Sequence, residues 1–213
     1  MKNEIENIRH GIEIIAVTKQ VGIERTEEAI AAGIHHLGEN RPEGLAAKYE
    51  AITDKAIWHF IGTLQTRKVK EVINQIDFLH SLDRMSLAKE IQKRAERPVN
   101  CFVQVNVSKE ESKSGVASEE ALEFIEALSE FDKIQVVGLM TMAPNTTDET
   151  AIRQTFKGLK SLQVEVAAKN WNHAPCTECS MGMSNDYLIA AQEGATFVRI
   201  GTALVGTESE AQQ

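Results

Sequence analysis

Two hydrophobic periodicities alternate along this chain eight times over, and no other feature constrains its fold as tightly. Short β-branched runs read as strands: IIAVTK (Ile14 to Lys19), HHLGEN (His35 to Asn40), WHFIG (Trp58 to Gly62) and FLHSLD (Phe78 to Asp83) in the first half. NCFVQVNV (Asn100 to Val107), IQVVGLMTM (Ile134 to Met142), TECSMGM (Thr177 to Met183) and FVRIGTALVG (Phe197 to Gly206) follow in the second. Helical patterns separate them, from ERTEEAIAAG, with Gly33 as its C-cap, through RKVKEVINQI and the long ETAIRQTFKGLKSLQVEVAAKN to SNDYLIAAQEG. The eighth run leads only into a short polar tail.

Strict β-α alternation with nearly continuous apolar strands implies a parallel sheet covered by helices, since each right-handed crossover returns the chain to the same edge. Eight such units predict a single-domain (β/α)8 TIM barrel over 1–213. An open doubly wound sheet is the competing architecture, but no GxGxxG follows any strand. In a barrel, function sits at the C-terminal strand ends. That rule selects Lys19, Asn40, His59, Met140 and Met142, Ser180, and Arg199 to Thr202 as residues converging on one mouth. The last two loops, SMGMSND and RIGTALVG, carry small residues and hydroxyls where backbone N–H groups can approach an anion. The bland reading of their glycines is turns.

Lys19 ends its strand either as a solvated cap or as a nucleophile. An amine recessed among apolar side chains has its charged form disfavoured, which suits a Schiff-base lysine. A phosphate pocket across the mouth leaves two chemistries open, pyridoxal phosphate binding and a class I sugar-phosphate aldolase.

Charge narrows the partners. With 23 basic and 31 acidic residues the formal charge is −8, which argues against nucleic acid and anionic membrane. Glu4, Glu6 and Arg9 interrupt the N-terminus where an apolar targeting segment would lie, so a cytoplasmic address is expected. Three cysteines are too few for a disulfide framework. Cys176 and Cys179 form a CxxC after His173, yet no second ligand pair appears, and no metal site is expected. His35 and His36 alternate across a strand and are expected to face different sites.

Taken together, IIAVTK, GEN (Gly38 to Asn40), WHFIGTLQ (Trp58 to Gln65), QVNVSKEESKSG (Gln104 to Gly115), GLMTM (Gly138 to Met142), SMGMSND (Ser180 to Asp186) and VRIGTALVG (Val198 to Gly206) resemble the pyridoxal phosphate homeostasis protein family. The resemblance spans nearly the whole chain, in order and one motif per strand. It implies a barrel similar to the N-terminal domain of alanine racemase that binds pyridoxal 5′-phosphate through Lys19. By the same similarity Arg199 neighbours the pyridine nitrogen, and Ser180 with the backbone of Gly201 and Thr202 holds the phosphate. Asn40 and His59 are expected to line the ring. A cofactor-handling role without strong turnover follows, with apo-enzymes as candidate recipients and a monomer as the expected state. A racemase or decarboxylase is the alternative, with the aldolase behind it. Racemisation needs a second base, and Tyr49 and Tyr187 fall in helices outside the barrel. The chain departs from the family in its short N-terminus, in Thr63, and in Arg67 where an asparagine is common.

Overall fold

The computed structural model describes residues 1–52, 55–110 and 114–206. Eight parallel strands close into a ring: β1 (Glu13–Val17), β2 (His36–Glu39), β3 (Ile57–Phe60), β4 (Phe78–Leu82), β5 (Val99–Asn106), β6 (Ile134–Met140), β7 (Glu178–Ser180) and β8 (Phe197–Ile200). Each pairs with the strand before it in sequence, and β8 closes on β1 with Ile15 beside Arg199. The barrel expected from the alternation is therefore the fold.

The wall has two buried sides, which explains the scarcity of polar residues in strands such as EIIAV. Side chains alternate across it. Ile15, Phe102, Met140 and Phe197 pack inside the ring, with Phe78 and Val137 against them. A larger apolar layer, including Ile14, Leu37, Trp58 and Leu79, fills the space between the sheet and the helices. Those helices are α1 (Lys2–Ile8), α2 (Ile23–Ala31), α3 (Pro42–Ile52), α4 (Val69–Val72), α5 (Met85–Arg94), α6 (Ala121–Ala127), α7 (Glu149–Ala167), α8 (Tyr187–Gln192) and α9 (Thr202–Val205). In α7 the Asp148 side chain accepts the Thr150 amide at 2.9 Å, a cap whose loss costs about 1 kcal/mol. From that cap Ile152, Phe156, Leu159 and Val166 recur at helical spacing and are buried.

Three elements differ from the periodicity. RKVKEVINQI holds only a 3-10 turn (Thr66–Lys68) and the one-turn α4, because Val69, Val72 and Ile73 are all driven into the core and Asp77 is already tied to the Trp58 amide at 2.9 Å. TECSMGM is a strand only to Ser180; the chain leaves the wall at Gly182, whose φ of +96° suits glycine and whose added Cβ would meet the Ala190 Cβ at 2.5 Å. The eighth run does not stay extended: it turns at Gly201 and forms α9. A two-residue strand, Val116–Ala117, also pairs with β5; residues 111–113 of QVNVSKEESKSG, and those after Gly206, lie outside the described residues.

At the N-terminal end of the barrel, Ile5 of α1 is buried and Tyr187 donates to Glu4 at 3.3 Å. A cavity of about 380 Å³ lies there, bordered by Ile5, Glu13, His35 and His36. Both histidines border it although their rings diverge, because β2 begins only at His36 and His35 is still in the incoming loop. His36 turns into the barrel, whereas exposed His35 approaches the Lys55 carbonyl. No helix among the described residues is long and apolar enough to cross a membrane.

Candidate functional site

Alternation in β1 sends Val17 inward and Thr18 outward, so the next residue, Lys19, returns to the mouth. The outward residue is tightly held. Thr18 Oγ1 donates to Glu39 Oε1 at 2.6 Å, and Lys48 Nζ of α3 donates both to Glu39 Oε1 and to the Thr18 carbonyl at 2.5 Å. Glu39 and Lys48 are buried, forming an ion pair between the sheet and α3. Gly44 leaves it room, since a Cβ there would stand 2.9 Å from Glu39 Oε2. A buried pair this well hydrogen-bonded adds little net stability, but it fixes the peptide that precedes Lys19. Lys19 itself is exposed on the rim rather than recessed among apolar side chains, because β1 ends at Val17 and a turn carries the lysine above the wall.

A cavity of about 450 Å³ opens at this end of the barrel, within the range of small-molecule sites. Lys19, Asn40, Arg199, Gly201 and Thr202 all border it, so five of the seven residues given a cofactor-binding role from the sequence meet there. Met142 and Met183 add exposed apolar surface at its edge. Asn40 is held close to the third loop: a Cβ at Gly62 would approach the Asn40 carbonyl oxygen to 2.5 Å.

The other two do not reach the cavity. Ser180 and His59 are fully buried along the barrel axis. Ser180 is the last residue of β7 and points inward beneath the mouth, where it accepts from Arg199 Nη1 at 2.5 Å. His59 lies within β3, one residue before its end, and bonds only to other histidines. The SMGMSND hydroxyl that borders the cavity is that of Ser184, after the chain has bent at Gly182. The signal was the strand end itself: a residue inside a strand's last step packs the interior, whereas one beyond the bend reaches the mouth.

Arg199 forms the cavity floor. Besides Ser180 it donates Nη2 to the Thr141 carbonyl at 3.0 Å. Burial draws its guanidinium down to about 10, Asp186 opposing the shift, and it stays a cation at neutral pH. Asp186, whose carboxyl burial pushes up, accepts the Met183 amide at 2.6 Å and so shapes the loop that carries Ser184. Gly201 and Thr202 open α9, where the first amides of a helix have no partner within it. The donor set is thus an amine at the rim, a guanidinium on the floor, and a hydroxyl beside a helix start. An aldehyde, a weak ring base and a dianion are the groups that match it. The residues present fit a phosphorylated pyridine aldehyde of this cavity's size.

The cysteines stand apart. Burial pushes the Cys176 and Cys179 thiols up to about 12 and about 11, and the ring of His173 meets the Ile125 carbonyl at 2.9 Å. Among the described residues no cluster of ligating side chains could hold a metal ion.

The family model of the alanine racemase N-terminal domain matches residues 1–209. The pyridoxal phosphate homeostasis protein of Aquifex aeolicus is 41% identical over 197 residues, covering 91% of this chain and 86% of that one. The structure of PipY from Synechococcus elongatus with pyridoxal phosphate bound superposes with a TM-score of 0.85 at 30% identity, over 96% of this chain and 99% of PipY. Alanine racemase from Corynebacterium glutamicum shares the fold at 14% identity, with a TM-score of 0.74 over 94% of this chain and 58% of the racemase.

Proposed function

The chain belongs to the alanine racemase N-terminal domain family, and within it to the pyridoxal phosphate homeostasis proteins, and we propose that it binds pyridoxal 5′-phosphate at the mouth of its barrel. The observation that carries this reading is the meeting of Lys19, Arg199, Ser184, Gly201 and Thr202 around one cavity from the first strand and the last two. PipY, similar over nearly its whole length, has the cofactor bound.

Bound there, pyridoxal phosphate would supply a reactive aldehyde and an electron-withdrawing ring. Lys19 offers the amine for covalent attachment. Ser184 and the amides opening α9 offer charge-assisted hydrogen bonds to the phosphate, each about 1.5–3 kcal/mol. Arg199 has only donors to present to the ring nitrogen, and its cation opposes a proton there, which mutes the ring as an electron sink. Asn40, on the cavity wall, would border the ring. Tyr49 and Tyr187 sit in or at the start of helices and border no part of the cavity. These features favour holding and releasing the cofactor over chemistry on an amino-acid substrate. Delivery to apo-enzymes, in a cytoplasmic setting compatible with three free buried cysteines, completes the proposal.

The test is spectroscopic. Addition of pyridoxal phosphate should raise a visible absorption band, and borohydride reduction followed by peptide mapping should place the label on Lys19. Lys19→Ala should abolish the band while phosphate-dependent binding partly persists. Labelling on Lys68 or Lys48 instead would refute the assignment.

A further inference from the structure

A line of hydrogen bonds runs down the barrel axis from the cavity floor to the opposite end, and neither the cofactor reading nor the family likeness uses it. Arg199 Nη1 meets Ser180 Oγ at 2.5 Å. Ser180 Oγ meets His80 Nδ1 at 2.9 Å, His80 Nε2 meets His59 Nδ1 at 2.8 Å, and His59 Nε2 meets His36 Nδ1 at 2.8 Å. Beyond His36, its Nε2 lies 3.7 Å from Glu13 Oε2, beside the bottom cavity. Phenylalanine rings hold the imidazoles in plane: His59 stacks on Phe78 at 4.5 Å and His80 on Phe102 at 4.3 Å.

The direction of this line follows from what each atom can do. A guanidinium only donates, so Ser180 Oγ must accept from Arg199. A neutral imidazole carries one N–H, so each ring passes the polarity it receives to the next. Ser180 is fully buried, and among the described residues the acceptor within reach of its O–H is His80 Nδ1. If the hydroxyl donates there, His80 donates through Nε2 to His59, His59 through Nε2 to His36, and His36 presents Nε2–H to the Glu13 carboxylate. Every polar atom from Ser180 Oγ to His36 Nδ1 is then satisfied, a cation heads the line, and an anion 3.7 Å from His36 Nε2 faces its end. The reverse order leaves the Ser180 proton without a partner and turns the His36 lone pair toward a carboxylate.

We propose that Ser180, His80, His59 and His36 are positioning residues for Arg199, joined in one directed donor chain with all three imidazoles in the Nε2–H form. The chain holds the guanidinium against Ser180 and the Thr141 carbonyl, so that its remaining donors face the cavity in one orientation. It also couples the two ends. A proton arriving at His36 must enter at Nδ1, where the His59 N–H already points, so taking it up requires His59 and His80 both to reverse and strands the Ser180 hydroxyl beside Arg199. The charged and titratable groups around the chain are Glu13, His35 and Asp77 near His36, and Arg199 near His80. This deepens the cofactor reading in that it rests on Arg199 at the cavity floor, but it concerns the unloaded chain.

The experiment is imidazole and guanidinium ¹⁵N NMR on the full-length protein without cofactor, so its failure leaves the Lys19 labelling test standing. At neutral pH, His36, His59 and His80 should each show a protonated Nε2 and a bare Nδ1; an Nδ1–H on any of them overturns the chain. Arg199→Met removes the head of the line and with it the donor that fixes the polarity of Ser180 Oγ. His36, at the far end, should then shift to mixed tautomers and titrate at higher pH, and Arg199→Lys should restore the original pattern. An unchanged His36 in a folded Arg199→Met variant refutes the coupling. His80→Phe should broaden the resolved Arg199 Nη signals and His80→Asn, which keeps an acceptor near Nδ1, should sharpen them; equal spectra refute the positioning role.

Discussion

Lowering the pH from 7 to 5 should remove a large share of the protein's folding stability, and the loss can be worked from two side chains. His59 and His80 are fully buried, and desolvation holds both imidazoles well below the ordinary histidine value, with His36 and Arg199 adding like-charge repulsion. The native state therefore keeps them neutral, whereas the unfolded chain binds a proton at each from about pH 6.5 downward. Because the folded values are the depressed ones, stability is complete above the unfolded value and falls as the pH drops below it. Between pH 7 and pH 5 each histidine costs about 2 kcal/mol, so the pair costs about 4 kcal/mol, against a total of roughly 5–15 kcal/mol for a typical domain. His36, half-buried and lowered mainly by desolvation, adds a smaller share in the same direction. Urea unfolding followed by circular dichroism at pH 7, 6 and 5 measures the slope. A variant carrying both His59→Phe and His80→Phe should show a flatter profile whatever its stability at pH 7. A wild-type curve that is level over this range would mean that the two rings are charged in the native state or accessible to solvent, and the account of the barrel interior would fall with it.

Other tests address the mouth. Lys48→Met strands the buried Glu39 carboxylate and should destabilise by about 3–5 kcal/mol, whereas Lys48→Met with Glu39→Leu should recover most of that loss in the same denaturation assay. Ser184→Ala should weaken pyridoxal phosphate binding roughly 10- to 150-fold, the equivalent of one charge-assisted hydrogen bond, and leave pyridoxal binding nearly unchanged in a fluorescence titration. Equal losses for both ligands would place the phosphate elsewhere. The loaded protein incubated with L-alanine in deuterated water should exchange its α-proton far more slowly than about 1 s⁻¹, and enzyme-like exchange that vanishes in Lys19→Ala would replace the carrier reading with a catalytic one.

The barrel was legible because its determinants are local and repeated: each β-α unit announces its own period, and eight in a row leave few closures. Lys19, Arg199, Gly201 and Thr202 were legible for a related reason, since a strand's C-terminal end in a barrel is a place as well as a sequence position. Ser180 and His59 were misplaced by that same rule. Telling a strand's last inward residue from the first residue beyond it needs the boundary to within one position, and the bend at Gly182 sets that boundary through packing against Ala190, far along the chain from any local cue. The histidine line has a trace in the sequence. HHLGEN, WHFIG and FLHSLD each carry a histidine on consecutive strands, and three polar rings at inward positions of neighbouring strands must bond to one another or remain unsatisfied. The Glu39–Lys48 pair had no such trace, because α3 presents many polar residues and only packing selects the one that is buried.

The meeting of β8 with β1 puts Lys19 and Arg199, near opposite ends of the chain, on either side of a single seam. No N-terminal fragment that stops short of the eighth strand contains the site, however much of the barrel it has formed. A molecule held by both residues therefore acts as a clasp across the joint where the ring was closed. It binds only finished barrels, and it resists their opening by RT ln(1 + [L]/Kd) at the joint where first and last strands would separate. Occupancy of the mouth is thus a report on the completeness of the fold.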